Sequence, residues 1–275
     1  MITLEAGTSL VQIDPAAGGR ITVAQLSGHD VLVGERAGAF SWGSFVMAPF
    51  AGRVRRGALR VDGRDHTLAP GMGPHAIHGT VVHRRWEVEH VGPGEDAVSE
   101  VRLGTALGSD WPWAGRVHQR IALAADRLDL TVEVCSDGEA FPASCGWHPW
   151  FRRRLAPEAP PVELHVRPRA MLRRDAEGLP SGELVAPTEG PWDDCMVGLD
   201  GPPRLVWPGA LELELSSPVE HWVLYTEPAE ALCVEPQTAP PDPFAGPCAV
   251  VTPGAPLTAS FTWRWRDLGA EPGAT

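Results

Sequence analysis

The chain has no lysine and no asparagine, and all 23 of its basic residues are arginine. Without lysine there is no Schiff-base amine, no phosphate-loop lysine and no protein-kinase lysine. Without asparagine there is no N-glycosylation acceptor. Cysteine is sparse: five residues, at 135, 145, 195, 233 and 248, an odd number with no Cys-x-x-Cys pair. That pattern argues against a disulfide framework or a structural zinc site. No run approaches the ~20 apolar residues of a membrane span, and Met1–Glu5 lacks a basic stretch leading into an apolar one. The expectation is a reduced, cytoplasmic protein without a membrane partner. Positive charge is also short: 23 arginines against 35 acidic residues give a net charge of −12. Such a chain repels phosphate backbones, which excludes nucleic acid as a first expectation. Helical periodicity is missing too; no i, i+3, i+4, i+7 pattern exceeds two turns.

What is present is period two. Arg127–Val134, Ala210–Ser216, Phe261–Arg266, Arg85–Val91 and Glu220–Thr226 each alternate apolar with polar residues, as half-buried strands do. The turns Val61-Asp62-Gly63-Arg64, Ser136-Asp137-Gly138-Glu139 and Asp200-Gly201-Pro202-Pro203 separate them. Gly 30 and Pro 28 in 275 residues fit many short elements joined by turns. The expectation is an all-β, large antiparallel β-sandwich forming one domain over residues 1–268, with a disordered tail at 269–275. A β-propeller needs a repeat of about 40–50 residues, and none is visible.

Local context selects candidates for chemistry. His148 stands in Cys145-Gly146-Trp147-His148-Pro149-Trp150-Phe151, an imidazole held between indoles, and reads equally as a core histidine. Glu235 ends the apolar stretch Leu232-Cys233-Val234-Glu235-Pro236. A carboxylate beside apolar residues at a strand end acquires a raised pKa suited to a general base, or simply points to water. His75 and His78, three apart, raise a metal reading with no third ligand. Arg53 follows a buried-looking turn and reads as a ligand contact or an ion pair. Asp193 and Asp194 form an acidic turn that also fits an Asx-type cap.

Taken in order, these residues resemble the motifs of the aldose 1-epimerase (galactose mutarotase) family. Ala48–Val54 resembles its turn ending in Asn-Arg-Ile, and Ile77-His78-Gly79 its Leu-His-Gly. His148-Pro149-Trp150-Phe151 resembles its His-x-aromatic-Phe, and Trp192-Asp193 its aromatic-Asp. Glu235-Pro236-Gln237-Thr238-Ala239-Pro240-Pro241-Asp242 resembles its Glu-x-Gln segment ending in Pro-Asp. The resemblance implies that family's β-sandwich and a cofactor-free, metal-free reaction interconverting the α and β anomers of a hexose. It implies Glu235 as base, His148 as acid, and Arg53, His78 and Asp193 as sugar contacts. The partner would be a small-molecule sugar, and the protein a monomer or homodimer.

The chain departs from the pattern at Gly52, where the family has asparagine, at Thr80, where better-known members have a second glycine, and after His148. These departures point to a divergent branch and leave the sugar open. Arg55-Arg56 and Arg152-Arg153-Arg154 raise a second possibility, a hexose-6-phosphate 1-epimerase, since arginines bind phosphate bidentately. Eleven tryptophans raise a third, a carbohydrate-binding protein without turnover. One of Trp42, Trp147, Trp150 and Trp192 is expected along the pocket wall.

Overall fold

A computed structural model describes residues 1–94 and 98–269. Two antiparallel sheets account for most of it. The larger has eleven strands. Its order runs Ile2–Ala6, Ser9–Asp14, Arg20–Leu26, Ser44–Met47, Gly146–Arg152, Ala231–Gln237, His221–Tyr225, Asp193–Leu199, Pro168–Arg174, Pro180–Val185, with His29–Asp30 paired to the third. The smaller has eight: Glu87–Pro93, Ser99–Ala106, Gly115–Leu123, Arg127–Ser136, Leu257–Asp267, Leu211–Ser216, Arg204–Trp207 and Glu163–His165. The all-β sandwich expected from the alternation is what forms.

The five period-two segments all become strands. The Arg85–Val91 segment starts late, at Glu87, because Trp86 is drawn inward. Its backbone N–H donates to the Pro15 carbonyl and its indole to the Val81 carbonyl. At Asp62-Gly63 both residues have positive φ, 48° and 78°, the two-residue hairpin turn that matches strand twist. Helix among the described residues is limited to short 3₁₀ turns such as Pro15–Ala17. Among the described residues no helix is long and apolar enough to cross a membrane. Of the expected tail, positions 270–275 lie outside the described residues; the Gly269 N–H donates to Asp267 Oδ1.

Alternation assigns the faces. Val46, Trp147, Leu224, Val234 and Met196 of the larger sheet share one buried cluster with Val117, Leu130, Leu213, Phe261 and Trp263 of the smaller. Trp147 meets Phe261 across the layers, with centroids 5.7 Å apart. The next residue along each strand of the larger sheet turns to its other face. There sit Phe45, His148, Trp150, Cys233, Glu235, Val223, Tyr225, Asp193 and Cys195.

Candidate active site

The outer face of the larger sheet is laid out in rows by the strand register. One row runs Trp150, Cys233, Tyr225, Asp193, each paired with the next. The next row runs Glu235, Val223, Cys195. Gly146 opposes Gln237 and Trp150 opposes Cys233, so His148, midway, is level with Glu235. On its other side His148 pairs with Phe45. Two residues far apart in sequence thus become direct neighbours, with His148 Nε2 3.4 Å from Glu235 Oε1. Glu235 Oε2 accepts a hydrogen bond from Gln237 Nε2 at 3.3 Å.

The imidazole of His148 is clamped. Trp150 stacks on it at 5.4 Å with planes 5° apart, Phe45 stacks at 4.9 Å, and His78 meets it edge-on at 5.0 Å. Of the four tryptophans of which one was expected along the pocket wall, Trp150 lines the cavity and carries this contact. Trp147 faces the core, and Trp42 lies against the buried Arg20 guanidinium.

His78 arrives from a loop rather than the sheet. Its φ is 56°, its N–H donates to the Gly52 carbonyl, and the Thr80 N–H donates to the Ala48 carbonyl. Gly79 between them lies against the Ala48 backbone; a Cβ there would stand 1.9 Å from the Ala48 oxygen. Only glycine permits that approach. Gly52 is confined in the same way: with φ 70°, a Cβ on it would meet Pro241 at 2.8 Å. The position that carries asparagine in the resembled motif is here a seat for Pro241. Asp242 ties the same turn down, its N–H donating to the Arg53 carbonyl and its Oδ1 accepting from the Arg55 N–H.

Arg53 Nη2 lies 3.4 Å from Asp193 Oδ2, and its Nη1 donates to the Gly178 carbonyl. Arg174 reaches Asp193 Oδ2 at 3.4 Å and, through Nε, Asp194 Oδ1 at 2.9 Å. Both aspartates border the cavity, so the choice between them dissolves into one two-arginine, two-aspartate network. The cavity measures about 450 Å³, within the range of small-molecule sites, and Arg53, His78, His148, Asp193 and Glu235 all line it. Sequence reasoning missed Arg174, Tyr225 and Phe40, which also line it. It placed Gln237 in a motif without assigning it a role; the Gln237 Oε1 is buried with no hydrogen-bond partner among the described residues. No sequence signal marks Arg174, because only strand order brings it there.

The arginine runs lie elsewhere. Arg152 is held by Asp30 and the Leu32 carbonyl, Arg153 by the Thr226 and Pro228 carbonyls, and Arg154 by the Ala159 carbonyl. Arg55 pairs with Asp175, Glu177 and Asp242, and Arg56 with Glu177. The His75–His78 metal reading also fails. His75 Nδ1 accepts from the Arg56 N–H and its Nε2 faces Glu177, away from the use made of His78.

Burial dominates the electrostatics. It pushes the Glu235 carboxyl well above its usual range, with help from the Asp193 charge. It pushes His148 well below, with help from His78 and Arg20, and His78 down to about 3, with help from Arg53. Asp193 is also raised by burial, against the pull of Arg53 and Arg174. Burial therefore favours the uncharged arrangement of the His148–Glu235 pair, proton on the carboxyl and neutral imidazole, since burying two charges costs more than burying none.

The fold recurs in several solved structures. A galactose mutarotase-like protein of Clostridium acetobutylicum is 14% identical, with a TM-score of 0.86 over 96% of this chain and 94% of that one. An aldose 1-epimerase candidate from Escherichia coli K12 is 22% identical, with a TM-score of 0.80 over 97% and 98%. The galactose 1-epimerase of Lactobacillus acidophilus is 17% identical, with a TM-score of 0.79 over 96% and 93%. These define a galactose mutarotase-like β-sandwich. No curated protein sequence matches the chain significantly. The family pattern for aldose 1-epimerase matches residues 1–199, and the chain belongs to that family.

Proposed function

We propose that the protein is an aldose 1-epimerase acting on a free, uncharged hexose, with Glu235 and His148 as its proton-transfer pair. The observation that carries this reading is the 3.4 Å contact between two buried titratable groups on the wall of a sugar-sized cavity. Ring opening needs a base for the C1 hydroxyl proton and an acid for the ring oxygen. Glu235 as carboxylate takes the first proton and His148 as imidazolium gives the second. The C1–O5 bond breaks and leaves an open-chain aldehyde. A half-turn about C1–C2 and the reverse transfers close the other anomer.

After ring opening the pair holds a neutral carboxyl and a neutral imidazole, the arrangement that burial favours. The charged arrangement required at the start is the one that burial opposes. Desolvation thus drives the pair toward the opened sugar, and the 3.4 Å contact lets one proton serve both arrangements. No cofactor is required by these steps. Arg53, His78 and Asp193 hold the sugar hydroxyls, joined by Arg174 and Gln237. The buried Nδ1 of His78 and Oε1 of Gln237 have no hydrogen-bond partner among the described residues, which supports their use as hydroxyl contacts.

A free hexose is favoured over a hexose 6-phosphate because Arg53 and Arg174 are both matched by aspartates and the remaining arginine runs are engaged elsewhere. A pure binding protein would have no use for a desolvated acid–base pair.

The test is polarimetry with the spontaneous rate subtracted, on glucose, galactose and glucose 6-phosphate. Glu235→Gln and His148→Gln should each lower kcat by at least about a hundredfold, the usual scale of acid–base contributions, with smaller changes in sugar binding. A folded Glu235→Gln protein within tenfold of wild type would remove Glu235 as the base. Faster turnover of the phosphate than of both free sugars would overturn the substrate class.

A further inference from the structure

The pair is one side of a triangle. Cys233 precedes Glu235 by two residues, so both side chains leave the Ala231–Gln237 strand on the same face. His148 rises from the adjoining strand beside them. The His148 ring nitrogen, the Cys233 sulfur and a Glu235 carboxylate oxygen all lie within 4.8 Å of one another, and all three residues are buried. None of the mutarotation steps uses Cys233, and its sulfur makes no hydrogen bond among the described residues.

We propose that these three residues form a binding site for a thiophilic divalent cation of the zinc type, and that the ion inhibits the enzyme by occupying the proton-transfer pair. Imidazole, thiolate and carboxylate are the donors that zinc takes, at about 2.0–2.3 Å each. In tetrahedral geometry those bond lengths set nitrogen and oxygen ligands about 3.4 Å apart. His148 Nε2 and Glu235 Oε1 stand at 3.4 Å already. The sulfur completes the set with a shift of roughly 1 Å, because tetrahedral sulfur–nitrogen separations are near 3.6 Å.

Charge closes as well. Binding releases the thiol proton and the carboxyl proton to solvent, so a dication meets one thiolate, one carboxylate and one neutral imidazole. The complex is neutral overall, which removes the main objection to a buried ion. His148 and Glu235 both line the cavity. A bound cation therefore ties up the atoms that exchange protons with the sugar.

The direct experiment uses cobalt(II) as a spectroscopic substitute, titrated onto the full-length protein without sugar. The expected result is one equivalent bound with a thiolate-to-cobalt charge-transfer band that zinc displaces. The band should vanish in Cys233→Ala and survive in Cys195→Ala, whose sulfur lies on the same face outside the triangle. Cys233→Ser, closer in volume, is the second variant if the alanine protein does not fold. No band with folded wild type, or a band that persists in both Cys233 variants, overturns the site.

The inhibition arm rests on the proposed function. Zinc should slow mutarotation, and Cys233→Ala should raise the half-inhibitory zinc concentration by about a hundredfold relative to its own uninhibited rate. This is the upper end of the loss seen when even an outer partner of a metal ligand is removed. A cobalt band with zinc-insensitive mutarotation would leave the site standing and move the fault to the role assigned to the pair.

Discussion

Replacing Gly79 with alanine tests whether the turn that presents His78 is as tightly determined as its geometry implies. The new Cβ would stand 1.9 Å from the Ala48 oxygen and 2.3 Å from the Ala48 carbonyl carbon, whereas Cβ atoms do not approach closer than 3.0 Å. The two backbone segments must therefore separate by about 1.1 Å, the difference between those distances. That lengthens the Thr80 N–H to Ala48 carbonyl hydrogen bond from 2.9 Å to near 4 Å and abolishes it. A φ of 79° adds about 1–2 kcal/mol for any residue with a Cβ. The orphaned buried carbonyl adds about 1–3 kcal/mol, and the lower entropy of the unfolded alanine chain returns about 0.4–1 kcal/mol.

The net expectation is a loss of about 2–4 kcal/mol, read as a lower urea midpoint with an unchanged slope. The same movement carries His78 away from His148, which it meets at 5.0 Å. Misplacement on the 1 Å scale costs on the order of 10²-fold, so kcat/KM should fall by about that amount in whatever folded fraction remains. A Gly79→Ala protein within about 0.5 kcal/mol of wild type would refute the reasoning. It would show that the two segments part without penalty and that the glycine is not what seats His78.

Two further predictions concern the site. The pair works with one proton, so activity fails when a second binds in acid and when the only one leaves in base. Burial lowers His148, which moves the acid limb of the kcat/KM profile below the ordinary imidazole value of about 6.5. Burial raises Glu235, which moves the alkaline limb above the ordinary carboxylate range. A pH–rate profile with an acid limb above pH 7 would contradict this. Arg174→Ala leaves Asp193 and Asp194 with Arg53 as their one cation in the network, and should raise KM about tenfold, near 1.4 kcal/mol, with kcat within about threefold. Steady-state kinetics that show the loss in kcat instead would make Arg174 part of the proton transfer.

Much of the architecture was legible in the sequence because strand period is a local property. Arg127–Val134 alternates along its own length, and the structure follows that alternation residue by residue. Asp62-Gly63 announces its hairpin through the φ that those two residues tolerate. His148 and Glu235 stood out through their apolar neighbours, but those neighbours left a core histidine and a water-facing carboxylate open; that both are buried is a result of the fold. Other readings failed where the outcome depends on remote chain. The Arg152–Arg154 run is as basic in sequence as any phosphate site, yet carbonyls and Asp30, the latter 122 positions away, hold it elsewhere. Gly52 reads as a missing amide until Pro241 is seen packed against it.

Strand content and a set of candidate titratable groups follow from the sequence alone, because alternation and apolar flanks are written within a few residues; which of those groups the fold desolvates does not. Which groups meet is decided only by sheet order and register. The antiparallel pairing of Gly146–Arg152 with Ala231–Gln237 sets His148 level with Glu235, and one residue of slip would send every side chain of one strand to the opposite face. The same pairing puts the Cys233 thiol beside them, and the neighbouring strands bring Asp193 and Arg174 to Arg53. A period of two says which face a side chain takes; long-range hydrogen bonding between strands says who its neighbours are.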